Sequence, residues 1–170
     1  MWTATVDFTK AFDSISHNSI WEALKSCNVD HEYVSLLRKI YRDQKASVQT
    51  DEESEIFDIQ KGSKQGDPMS SLPFSTVLQY SLKDEMQRWQ KKKGMGIYLS
   101  DQERDCLTNL RFADDVMLFA TSKEQLRNMM YEFKKATEKV GLRIHPDKTK
   151  ILSNQSTMNS NTKKTLKSVK

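Results

Sequence analysis

The chain has 170 residues, 36% of them hydrophobic and 29% charged, with a formal net charge of +4, and its length suits one domain with a real core. It has no signal-peptide pattern and no apolar run long enough to span a bilayer, and its two cysteines and three separated histidines exclude a disulfide framework and a visible zinc site. The small positive charge weakly indicates a nucleic acid partner, although a solvated lysine-rich surface also accounts for it. The missing signal-peptide pattern and the missing disulfide framework predict the reducing side of the cell, without distinguishing nucleus from cytoplasm.

The N-terminal third predicts a strand and two helices. Trp2 to Phe8 is typical of a core strand, and Asp7 lies near its end. A polar and aromatic connection follows, and Asn18 or Ser19 is expected to cap a short helix. Asp30 is expected to cap a second helix. The apolar residues of that helix recur at helical spacing: Tyr33, Leu36, Leu37, Ile40 and Tyr41.

The middle of the chain predicts a hairpin, a loop and a long helix. Two alternating runs, 46–50 and 55–59, flank a polar tetrapeptide and indicate the hairpin. Residues 61–71 are rich in small polar residues and contain two glycines and a proline, which predicts a loop. The long helix that follows carries one apolar stripe: Phe74, Val77, Leu78, Leu82, Met86 and Trp89. Basic residues and Gly94 end this helix.

Two apolar arms flank the adjacent carboxylates of the stretch from Arg111 to Ala120, Cys106 to Phe112 before them and Val116 to Ala120 after them, which predicts a hairpin with Asp114 and Asp115 at its tip. Asp is a common turn residue, so the hairpin alone favours a structural role. The other interpretation is a divalent cation site, since a bound cation removes the repulsion between the two anions. A third carboxylate on another strand would decide between them.

The C-terminal part predicts one helix between short strands. Ile97 to Ser100 indicates a strand before the hairpin, and Ser122 with Gln125 forms a plausible capping box. The apolar stripe of the helix is Leu126, Met129, Met130, Phe133, Thr137 and Val140. Strands at 142–144 and 149–152 follow, and we expect the polar tail 153–170 to be disordered. This order predicts an α+β fold, an antiparallel sheet with helices on one face.

Asp7 supplies the third carboxylate if the first strand lies beside the hairpin. Three converging carboxylates repel one another, and two divalent cations would turn them into a clamp for phosphoryl transfer. Hard oxygen ligands of this kind suit Mg²⁺, with Mn²⁺ as the alternative. Taken alone, Asp7 also has a purely structural interpretation, as a turn residue at the end of a strand.

Four separated blocks share a pattern, in chain order: Val6 to Asp13, Gln65 to Ser70, Phe112 to Asp115, and Gly141 to Thr149. In this order they resemble the palm motifs of reverse transcriptases, which implies a ferredoxin/RRM-like palm over residues 1–152. The Phe-Ala-Asp-Asp hairpin is similar to that of non-LTR (LINE-type) retrotransposon enzymes. The resemblance implies an RNA-directed DNA polymerase with an RNA template, a DNA primer and dNTP as partners.

The resemblance also implies roles for single residues. Asp7 and Asp114 would hold two Mg²⁺ ions, with Asp115 supporting and the Phe8 carbonyl helping to hold the nucleotide-side metal. Lys148 would protonate or neutralise the pyrophosphate leaving group.

Three further residues of the resembling blocks would contact the nucleotide. Phe12 matches a steric gate against the ribose 2′-OH, although it could equally be an ordinary core phenylalanine. Gln65 and Gly66 would lie against the incoming nucleotide and the template, although Gly66 could simply serve a turn.

Departures from the family pattern leave alternatives. The fingers region before the first motif and the thumb after the palm are missing, and Ser71-Leu72-Pro73-Phe74 differs from the usual Pro-Leu-Leu-Phe order. An inactive palm fragment that only binds nucleic acid or a protein partner is therefore the alternative function. A cyclase or RNA polymerase palm is a third, which Phe12 and the Gln65-Gly66 block disfavour.

Overall fold

The computed structural model describes residues 1–49, 55–63, 68–91, 95–99 and 106–154, without the side chains of 68–71. The chain divides into two compact units, one formed by Met1–Ala11 with Ser81–Lys170 and the other by Phe12–Tyr80. Among the described residues, no helix is both apolar and long enough to cross a membrane.

The first unit contains a four-stranded antiparallel sheet in the spatial order β6-β7-β1-β8. Its strands are β1 (Trp2–Val6), β6 (Asn109–Phe112), β7 (Asp115–Ala120) and β8 (Lys150–Ser153). Strands β1 and β8, the first and the last of the four along the chain, lie side by side, and β6 and β7 are joined as a hairpin. This is the arrangement of a ferredoxin-like split βαβ core. The predicted α+β fold, an antiparallel ferredoxin-like sheet packed against helices, is confirmed.

Helix α5 (Lys123–Glu138) packs on β1 and β7. The predicted cap is confirmed, because the Ser122 hydroxyl accepts a hydrogen bond from the Gln125 amide at 3.1 Å. Every residue of the predicted stripe is buried, and the Phe133 ring stacks on Phe8 with 5.9 Å between centroids. Helix α4 (Pro68–Lys91) reaches α5 through Trp89, whose indole N–H donates to Glu132 Oε2 at 2.6 Å.

A small hairpin completes the first unit. Strand β4 (Ile97–Tyr98) pairs with β5 (Cys106–Leu107), whereas the sequence predicted one continuous arm from Cys106 to Phe112. That arm is divided at Thr108, so that its two halves pair with different partners. Leu142 to Ile144 was wrongly predicted as a strand: it contributes only an isolated bridge from Ile144 to Phe8.

The second unit contains α1 (Ala11–Ser14), α2 (His17–Ser26), α3 (His31–Arg42) and the hairpin of β2 (Lys45–Ala46) with β3 (Phe57–Asp58). The boundary between the units falls within the Ala11–Ser14 helix and within α4. The sequence missed α1, because four residues are too few to show helical periodicity.

The caps of α2 and α3 test two predictions. The cap of α2 is Ser16, whose hydroxyl accepts from the Ser19 amide, and not Asn18 or Ser19. The Asp30 cap of α3 is confirmed by a 2.8 Å bond from the Glu32 amide.

Candidate active site

The sheet register brings the predicted carboxylates to one end of neighbouring strands. Val6, the last residue of β1, pairs with Val116 on antiparallel β7. Asp7 is the next residue after Val6, and Asp115 precedes Val116, so the same register sets Asp7 beside Asp115. The residue that follows β1 therefore brings a third carboxylate to the hairpin.

Asp114 lies in the turn of the β6–β7 hairpin. Phe112 pairs with Asp115, which leaves Ala113 and Asp114 as a two-residue turn. Ala113 has φ +51°, in the left-handed region, and a positive φ at the first turn position is the pattern of a type II′ turn. Such turns match the twist of the two strands and hold the tip tightly. Asp115 is exposed and Asp114 half-buried, so both carboxylates are accessible to ligands.

Asp7, Asp114 and Asp115 lie at one end of β1 and β7, and we refer to them as the carboxylate edge. This edge faces away from α5. Val6 and its partner Val116 are buried, and Phe8, two residues after Val6 along the chain, stacks on Phe133 of α5, which assigns the Val6 side chain to the face that carries this helix. Successive strand residues point to opposite faces, so Asp7 and Asp115 belong to the other face. The buried valines thus anchor the strands, while the adjacent carboxylates remain available for chemistry.

Lys148 supplies positive charge at this edge. Its Nζ lies 3.9 Å from Asp7 Oδ1, with the Lys148 side chain 64% and the Asp7 side chain 36% exposed. An exposed pair at this distance contributes about 0–1 kcal/mol, so it does not lock the lysine in place. Both members of the pair were predicted site residues from opposite ends of the chain, and the structure brings them together.

Two backbone contacts to Asp7 were not predicted. The His145 amide donates to the Asp7 carbonyl at 2.8 Å, and the Thr149 hydroxyl accepts from the Asp7 amide at 3.4 Å. No local pattern in the sequence indicates the second contact, because it joins residues 142 positions apart.

Phe8 and Phe12 lie in different environments. The Phe8 side chain is buried, and the bridge to Ile144 uses the Asp7 carbonyl and the Thr9 amide, so it does not engage the Phe8 carbonyl. Phe12 belongs to the second unit, where its half-buried ring stacks on Phe74 at 4.7 Å. Gln65 and Gly66 lie outside the described residues.

The donor set is made of oxygen ligands only, which suits a hard divalent cation rather than a soft metal. Among the described residues, the side chains of His, Cys, Asp and Glu do not form a cluster of three or more that could hold a metal ion. The carboxylates nevertheless share one edge, with Lys148 as the cation paired with Asp7. On the adjacent strand, burial lowers the pKa of Arg111, but an arginine stays protonated in proteins.

Comparison with known proteins gives one family. Residues 1–166 match the model of the reverse transcriptase (RNA-dependent DNA polymerase) family. The chain is 31% identical to the Pol polyprotein of the type-2 retrotransposable element R2DM of Drosophila melanogaster, over 86% of the chain and 13% of that protein. It is 29% identical to the R2 polyprotein of Nasonia vitripennis, over 90% of the chain and 14% of that protein. The chain therefore spans only a small part of the curated relatives it matches.

Solved structures share the fold at low sequence identity. Telomerase from Candida albicans matches with a TM-score of 0.67 and 15% identity, over 92% of this chain and 27% of that one. Apo telomerase from Candida tropicalis matches with a TM-score of 0.68 and 13% identity, over 91% and 29%.

Proposed function

The chain belongs to the reverse transcriptase (RNA-dependent DNA polymerase) family, and we propose that it supplies the catalytic palm of a non-LTR retrotransposon polymerase. The reaction is attack of a primer 3′-OH on the α-phosphorus of a dNTP, directed by an RNA template, with release of pyrophosphate. The observation that supports it best is the register that sets Asp7 beside the hairpin carrying Asp114 and Asp115.

The carboxylate edge would hold two Mg²⁺ ions, with Mn²⁺ as a substitute. Asp7 and Asp114 would hold both ions, Asp115 would support them, and the Phe8 carbonyl would help to hold the ion on the nucleotide side. Two bound ions would stabilise charge on the attacking and the leaving oxygen of the displacement. Three carboxylates brought together would repel one another, and a bound cation would remove that repulsion.

Lys148 would act on the leaving group. Its ammonium is weakly paired with Asp7 and well exposed, so it can turn towards a pyrophosphate without breaking a buried contact. An ammonium donates a proton to, or neutralises, the oxygen on which negative charge develops.

Phe12 would discriminate between sugars. Its ring is stacked on Phe74, a fully buried residue, and a ring held in this way cannot yield easily to a ribose 2′-OH. Gln65 and Gly66 would contact the incoming nucleotide and the template.

Primer extension on an RNA template with Mg²⁺ tests the proposal. We expect dNTP incorporation by the wild type, loss of it in Asp114→Asn, and a gain of rNTP incorporation in Phe12→Val. Asp84→Asn, an exposed carboxylate change on α4, is the matched control and should behave as wild type. Incorporation that survives Asp114→Asn would contradict the assignment. Salt-dependent binding of an RNA–DNA duplex without any incorporation would instead identify a binding module.

A further inference from the structure

Residues 145–149 form a loop that contacts Asp7 at three points, and we refer to it as the 145–149 loop. His145 donates its amide hydrogen to the Asp7 carbonyl, and the Thr149 hydroxyl accepts the Asp7 amide hydrogen. Lys148 lies near the Asp7 carboxylate. One short segment thus engages both backbone groups and the side chain of a single residue.

The 145–149 loop is itself closed by a hydrogen bond. The Thr149 amide donates to the His145 carbonyl at 3.0 Å, which fixes the separation of the two residues that hold Asp7. Pro146, inside the loop, restricts the backbone further. The loop also leads directly into β8, which pairs with β1, so it is anchored to the same strand that delivers Asp7.

Asp7 depends on this loop because β1 ends before it. The last residue of β1 is Val6, and Asp7 lies one residue beyond the strand. Thr149 is only 4% exposed, and a buried hydroxyl is costly to leave without a partner. The pairing of this hydroxyl with the Asp7 amide therefore stabilises one position of the Asp7 backbone.

We infer that Thr149 is a positioning residue, which acts through Asp7 by holding its backbone so that its carboxylate is aimed for a divalent cation. This inference rests on the proposed function, since it assigns a metal-binding role to Asp7. Groups that orient metal ligands typically contribute about 10- to 100-fold to metal affinity.

Two substitutions of Thr149 separate the hydroxyl from the shape of the side chain. Thr149→Val keeps the shape and removes the acceptor, whereas Thr149→Ser keeps the acceptor. With Mn²⁺ as the probe, measured on the whole chain by electron paramagnetic resonance, we expect Thr149→Val to bind about tenfold or more weakly. We expect Thr149→Ser to bind close to the wild-type value. Thr137→Val is the matched control, because Thr137 is equally buried and its hydroxyl bonds only to helix carbonyls of α5.

A readout without metal keeps this inference distinct from the proposed function. We expect the Asp7 amide to exchange its hydrogen faster in Thr149→Val than in wild type, because the amide loses its acceptor. A wild type that binds no Mn²⁺ would overturn the proposed metal site, and the inference that Thr149 aims a metal ligand would fall with it. If the wild type binds and both Thr149 variants weaken binding equally, packing and not the hydroxyl is responsible.

An unchanged Mn²⁺ affinity in a folded Thr149→Val would also overturn the inference. Circular dichroism melting checks folding, and Pro146→Gly provides a second variant should Thr149→Val fail to fold. Pro146 is exposed, so this change loosens the 145–149 loop without touching the core or Asp7. We expect weaker Mn²⁺ binding and faster exchange of the Asp7 amide, and wild-type behaviour in both would contradict the positioning role.

Discussion

Replacing Lys148 with glutamine is expected to strengthen divalent cation binding while it weakens nucleotidyl transfer. The Lys148 ammonium lies 3.9 Å from Asp7 Oδ1, so a cation that binds Asp7 must compete with it. Glutamine is one bond shorter than lysine, and it removes the charge while it keeps a polar, hydrogen-bonding end group. The two effects have opposite signs, which a general loss of structure cannot produce.

The magnitude follows from the distance and the exposure of the pair. Two unit charges about 4 Å apart interact by about 1 kcal/mol in water. The Lys148 side chain is 64% exposed and the Asp7 side chain 36%, so the value for water applies better than a value for the interior. A change of about 1 kcal/mol corresponds to roughly fivefold tighter binding. The difference should shrink as ionic strength rises, because exposed charges are screened.

Mn²⁺ titration followed by electron paramagnetic resonance measures this change. Lys148→Arg keeps the charge and should bind as wild type, and Lys135→Gln, on the exposed side of α5, controls for the loss of one positive charge elsewhere. Weaker Mn²⁺ binding in a folded Lys148→Gln would refute the reasoning. It would mean that Lys148 helps to hold the Asp7 carboxylate in place and does not compete with the cation.

Three further predictions concern the supporting structure. Ala113→Gly should raise the free energy of unfolding by about 0.5–1 kcal/mol in urea, because φ is +51° there, and a loss of stability would contradict the turn geometry. Glu132→Leu should lower it by about 1–3 kcal/mol, because the indole N–H of buried Trp89 loses its acceptor, whereas Glu132→Gln should cost less. In thiol labelling at pH 8, Cys27 should react before Cys106, because burial raises the Cys106 pKa and lowers its thiolate fraction; equal rates would show that Cys106 is accessible.

Local signals in the sequence predicted the hairpin that carries Asp114 and Asp115 and the helix α5 that packs on the sheet. The apolar arms around Asp114 and the capping box at Ser122 each specify their element from a few neighbouring residues, and both elements are present. Strands β1 and β7 are far apart in the sequence. The convergence of Asp7 with the hairpin could therefore be predicted only on the condition that these two strands are neighbours. Family resemblance, rather than periodicity, supplied Lys148.

The contacts that hold Asp7 could not be derived from the sequence. A hydroxyl that bonds to an amide 142 residues away leaves no periodic trace, and a proline-containing loop such as 145–149 shows only that the chain turns. The sequence predicts a strand at 142–144, whereas the structure has only an isolated bridge at Ile144. A run of three residues with large side chains is compatible with both. Such contacts depend on tertiary structure, and a single sequence does not encode them locally.

Helix α3 shows where periodicity predicts the element and not its environment. Its stripe has the spacing of a buried face, yet Tyr33, Leu36 and Ile40 are exposed, and only Val34 and Tyr41 are buried. Apolar spacing stabilises a helix only through the residues that it packs against, and here the buried edge contains Val34 and, of the predicted stripe, only Tyr41.

This difference can be tested by two substitutions on α3. We expect Leu36→Gln with Ile40→Gln to change the free energy of unfolding by no more than about 0.5 kcal/mol, because exposed side chains lose little when they become polar. Val34→Ala, on the buried edge, should cost about 1 kcal/mol or more, because it leaves a cavity. Urea denaturation measures both. A large loss from the Gln pair, with Val34→Ala nearly neutral, would mean that the predicted stripe does face the core and that the packing of α3 described above is wrong.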